Sequence, residues 1–207
     1  MRIIRDNFYD VVKLYINQIG ITIFSMFLYT AVGAVDDTQL FTTLRIVVSA
    51  CAILFYFVLV YNVMWEIGAK DSIRSLSGHN EVQPLKGGLL AIAANVPNLL
   101  LALFTIIFGI VYFACGAEWA VNAFVIVFVI VRFHAAMYMG VIQGVTPAAP
   151  SATADSAIIA DAFAESIWFF ILPLIAVLFT QLAYWLGTKE IRIFGIFSKK
   201  SDESKKQ

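Results

Sequence analysis

Arg132 and His134 stand two residues apart inside an apolar run, and any chemistry in the interior of this chain would start from them. A charged side chain in hydrocarbon either reaches a headgroup or pairs with an opposite charge. Arg132 lies about 20 Å along a helix from Trp119 at 1.5 Å per residue, which favours anchoring by snorkelling at the far boundary. The competing reading is a functional intramembrane charge, with Glu66, Asp155, Asp161 or Glu165 as its counter-ion. His134 has no Glu or His at ligand spacing, which favours a satisfied structural histidine over a metal ligand.

Neutral polar groups form the second pattern. Ala91, Asn95, Asn98, Ala102, Thr105 and Gly109 recur at alternating spacings of four and three, so they share one helical face. Small residues let helices approach closely and Asn side chains hydrogen-bond across the gap, so a packing seam is the favoured reading. The sharper reading is a cavity wall, because Pro97, which sits between the two asparagines, loosens the helix and frees a backbone carbonyl that could face a ligand. Similar stripes run through Gln18, Thr22, Ser25 and Tyr29, and through Glu118, Asn122, Val125, Val129, Arg132 and Ala136. Asn95, Asn98, Arg132 and His134 are the candidate intramembrane site residues.

No GxSxG, HExxH or Walker A pattern is present, and no acid–base constellation stands out, so no enzymatic activity is expected. Asp155, Asp161 and Glu165 read as a solvated acidic face rather than a cation site. Cys51 and Cys115 form neither a CxxC nor a Cys/His cluster, so no cofactor, metal or disulfide framework is expected. Formal net charge is zero and no basic stripe is interleaved with aromatics, which argues against nucleic acid as a partner.

The elements that must carry these residues follow from composition. Of 207 residues, 61% are hydrophobic and 14% charged. A soluble domain carries about 25% charge. The chain reads as an all-α integral membrane helical bundle in a single domain, residues 1–207, with the lipid bilayer as its first partner. Five segments reach the roughly 20 apolar residues a span needs: 16–35, 46–65, 89–114, 119–140 and 167–187. Trp65, Trp119, Trp168 and Trp185 mark several ends, as expected where acyl chains meet headgroups. The first span, preceded by Arg2, Arg5 and Lys13, is expected to be retained rather than cleaved as a signal peptide. Residues 1–15 read either as an amphipathic surface helix or as an extension of that span.

Charge sets the expected orientation. Arg2, Arg5 and Lys13 precede the first span, Lys70, Arg74 and Lys86 lie in the second loop, and residues 188–207 form a basic tail. The positive-inside rule puts all three on the cytoplasmic side, which needs an even number of crossings. Five spans conflict with that. Segment 141–165, broken by Pro147 and Pro150, is read as a partly helical extramembrane loop, capped from Ser151 or Asp155, because Asp155 and Asp161 are costly to immerse. The alternatives are a sixth or re-entrant segment there, or one of the five spans failing to cross.

Several phrases taken together carry a resemblance: INQIG at 16–20, WEIGAKD at 65–71, PLKG at 84–87, ANVPN at 94–98, MYMG at 137–140 and AYWLG at 183–187. The set resembles uncharacterised small multi-pass membrane proteins of Gram-positive bacteria. That resemblance implies a bacterial cytoplasmic membrane and carries no activity. The expected function is that of a transport-related or accessory membrane subunit. The alternative is a structural or regulatory partner of another membrane protein, or of a second copy.

Overall fold

The computed structural model describes residues 2–78, 81–146 and 155–193. Helices α1 (Arg2–Asp6), α2 (Phe8–Val32), α3 (Thr38–Leu76), α4 (Lys86–Cys115) and α5 (Glu118–His134) come first. A 3-10 turn (Ala136–Tyr138), α6 (Met139–Val145) and α7 (Asp155–Thr188) follow, and no strand occurs among the described residues. The boundaries have local causes. The Asp37 carboxylate accepts from the Gln39 and Leu40 N–H groups at 2.9 and 2.8 Å and so caps α3. Gly116 takes a left-handed conformation, φ 62°, to end α4.

Helices α2, α3, α4 and residues 159–188 of α7 are each long and apolar enough to cross a membrane. Their outer faces are apolar, with Phe27, Leu54, Ile110 and Leu178 exposed, as a lipid solvent requires. The protein is a multi-pass membrane helical bundle. α7 packs along both α3 and α4, and α2 meets the same two helices elsewhere.

The ends of the bundle are well defined. Gly68 of α3 lies against Tyr184 and Thr188 of α7, and Gly87 of α4 against Tyr184. An added Cβ at Gly68 would collide with α7 backbone, so the helices cross there at glycine distance. Lys86 pairs with Asp71 at 2.8 Å, and the Tyr184 hydroxyl donates to the same carboxylate at 2.9 Å. Ile3 and Asn7 line a cleft with Asp71, Arg74 and Glu81 beside this triad. The amino terminus, the 77–85 connection and the end of α7 therefore share one end, where Lys13, Lys70, Arg74, Lys86 and Arg192 gather. The described part agrees with the charge reading; the lysines at 199–206 lie outside the described residues. Gly109 of α4 meets Phe163 of α7 towards the opposite end.

The fourth expected span, 119–140, departs from a straight crossing. α5 has 17 residues, a rise of about 25 Å against hydrocarbon about 30 Å thick. The chain then bends by 77° into the 3-10 turn and α6. Met137 is held at Ser49, whereas Gly140 and Gly144 rest on Arg45 and Ile46. Val141 also meets Ser49, so α6 lies across α3 at the level of Arg45, Ile46 and Ser49. This bent segment, α5 to α6, is termed the hairpin. Four helices are able to cross by themselves, the even number that the basic groups demand, and a fifth crossing needs the bent pair to act as one span.

The described part of segment 141–165 is largely helical: residues 141–145 belong to α6, which packs on α3, and residues 155–165 are the first turns of α7, continuous with the last span. Pro147, Pro150 and Ser151 lie outside the described residues. At the amino terminus both readings hold in part: α1 is a separate short helix, a break at Asn7 follows, and α2 extends the first span back to Phe8.

Candidate functional site

A helix that stops in the middle of a bundle strands backbone polar groups where no water can satisfy them. Side chains from α2 and α3 meet this demand. Thr22 Oγ1 donates to the His134 carbonyl at 3.0 Å. Ser49 Oγ donates to the Met137 carbonyl at 2.6 Å and accepts the Val141 N–H at 3.3 Å. The Tyr29 hydroxyl accepts the Gly140 N–H at 2.9 Å. Gly140 is required at its position, since a Cβ there would run into the Arg45 carbonyl. Ser49 is fully buried, ten residues or more from either end of α3.

The polar stripes converge at the hairpin tip. Gln18, Asn98, His134, Tyr138, Phe169 and Pro173 surround a cavity of about 10 Å³, the room one water needs. His134 Nε2 lies 2.9 Å from the Tyr15 hydroxyl, and the two rings stack. Asn98 Nδ2 donates to Asn95 Oδ1 at 3.3 Å, and Asn95 Nδ2 donates to the Ala91 carbonyl at 2.9 Å. Asn98 is 8% exposed, and its Oδ1 has no hydrogen-bond partner. No family model, curated protein or solved structure matches the chain. What it does must therefore be argued from this geometry.

Of the four site residues expected from the sequence, Asn98 and His134 line the cavity and Asn95 abuts it through Asn98. Arg132 does not join them. Its guanidinium lies 3.6 Å from Glu165 of α7, one of the four counter-ions considered, and over the Phe128 ring at 5.3 Å from its centre.

Gln18, Thr22 and Ser25 of the α2 stripe and the whole α4 stripe are buried, and Tyr29 is half-buried. The α5 stripe is not: Glu118, Asn122, Val125 and Val129 face outward, and Ala120, Phe124, Phe128 and Val131 face the bundle instead. Sequence reasoning missed Ser49 and Tyr15 as partners of the hairpin, and Tyr138 in the cavity wall. Ser49 gives a faint signal as a hydroxyl in an otherwise apolar run.

Proposed function

We propose that this chain is a transport-related membrane protein of a bacterial cytoplasmic membrane, in which the α5–α6 hairpin closes a polar site at mid-depth. One observation carries the reading: a broken helix, its backbone held by Thr22, Ser49 and Tyr29, ends beside Gln18, Asn98 and His134 at the bundle centre. Irregular backbone is tolerated at that depth only within protein or along a cavity, and discontinuous helices facing midplane polar groups are how transporters build substrate sites. The cavity admits nothing larger than one water, so this arrangement corresponds to the closed state. Opening requires the hairpin to move. The reading is of a non-enzymatic protein.

A specific observation favours a second reading, an accessory subunit packed against another membrane protein or a second copy. The outward face of α5 carries Glu118 and Asn122 among apolar residues, a pattern suited to a helix–helix contact.

Thiol accessibility separates the two. In a Cys51→Ala, Cys115→Ala background, single cysteines replace Asn98, Leu101 and, as a packed control, Leu90. Oriented vesicles are then treated with a small membrane-impermeant methanethiosulfonate. Transport predicts that positions 98 and 101 react measurably faster than position 90. Equal protection of all three would sink the transport reading and leave the accessory one.

A further inference from the structure

We propose that the cavity at the hairpin tip is a binding site for one water molecule, which donates to Asn98 Oδ1 and bridges α4 to the hairpin. The site stands whether or not any solute crosses the protein. One buried acceptor in the cavity wall has no donor of its own, and a second wall residue has lost its helical donor. Asn98 Oδ1 has no protein partner although its residue is more than nine-tenths buried. Pro173 has no N–H, so the Phe169 carbonyl, four residues earlier on α7, lacks its helical donor. Both Phe169 and Pro173 lie in the cavity wall. A buried acceptor left unpaired is costly, and a small donor at Asn98 Oδ1 removes the cost.

The chemistry of the wall selects the ligand. Buried waters use two to four polar partners, and the otherwise apolar wall offers Asn98, with Gln18 and His134 beside it. A metal or ammonium cation of similar size would need a charged counterpart at this depth, and no carboxylate lines the cavity. The volume of about 10 Å³ leaves no room for a larger organic ligand. Water at this point also explains why Asn98, and not a second apolar residue, faces the tip: through it the α4 stripe reaches the hairpin without touching it.

The test is water-to-protein polarisation transfer by solid-state NMR on the full chain in lipid bilayers, with asparagine side-chain amides ¹⁵N-labelled. Asn98 is assigned by loss of its signal in Asn98→Leu. The Asn98 amide is expected to build up from water several-fold faster than the Asn95 amide. Filling the cavity by Ala135→Val, or by Val131→Ile should the first variant not fold, is expected to bring Asn98 down to the Asn95 rate. Equal rates in the native chain would overturn the proposal, as would a fast Asn98 signal unchanged by filling. Protection in the thiol experiment, which ends the transport reading, leaves these outcomes untouched.

Discussion

Ser49 of α3 and Met137 of the hairpin, 88 positions apart in sequence, are joined by a 2.6 Å hydrogen bond from hydroxyl to carbonyl. The same hydroxyl accepts the Val141 N–H, so one side chain serves both sides of the helix break. In a bilayer such a bond has no aqueous alternative close by. Ser49→Ala is expected to lower stability by about 1–3 kcal/mol through the stranded carbonyl and N–H. Denaturation in mixed micelles reads this directly. A change below the error of that measurement would show that the break is satisfied by other means.

Gly140 gives a sharper version of the same test. Its Cα lies where α6 meets the Arg45 carbonyl, and no larger residue fits without moving the hairpin. Gly140→Val is expected to displace α6 and destabilise by about 1–3 kcal/mol or more. Gly20, with open space around it, is the control: Gly20→Ala should be neutral or slightly stabilising. Thermal melting of the two variants side by side checks the contrast.

Crossing number is open to chemical labelling. Residues 116 and 146 flank the hairpin, and both should lie on the side opposite residue 77. Cysteines introduced singly at Gly116, Thr146 and Ser77 should react with an impermeant maleimide from opposite faces of sealed vesicles, the first two together and the third alone. Labelling of 116 and 146 from different faces would mean that the bent segment crosses.

Arg132 and Glu165 should behave as a pair. Breaking one member leaves the other charge in a poor solvent, whereas replacing both removes the demand. Arg132→Gln and Glu165→Gln are each expected to lower Tm, by about 2–4 °C per kcal/mol lost in a chain of this size. Arg132→Leu with Glu165→Leu should recover most of the loss. Additive losses in the double variant would deny the coupling.

Lys86, Asp71 and Tyr184 tie α3, α4 and α7 together at the basic end. The Lys86 and Asp71 side chains are only 11% and 15% exposed. Asp71→Ala is expected to cost about 3–5 kcal/mol, because the ammonium is left uncompensated. Tyr184→Phe removes one hydrogen bond and should cost about 1–2 kcal/mol. Equal effects from the two would mean that the ion pair adds nothing beyond the tyrosine hydroxyl bond at this end.

The membrane character, the all-helical architecture and the buried α2 and α4 stripes were legible in the sequence, because each depends on local composition and helical periodicity alone. Basic residues on the amino terminus and second loop likewise placed those segments at one end before any coordinates. Their parity conflict with five spans falls on the one segment that the structure bends: four helices can cross by themselves, and a fifth crossing needs the bent pair. The break after His134 was not legible, since Arg132–Gly140 contains no proline and reads as a continuous apolar helix. What turns the chain there is distant. Thr22, Ser49 and Tyr29 satisfy the backbone groups that a bend strands, and the Arg45 carbonyl leaves Gly140 just enough space. Hydrophobicity chose the solvent and the helices, which are properties of neighbouring residues. Where a helix stops in that solvent is decided by partners tens of residues away, and only the folded bundle brings them into reach.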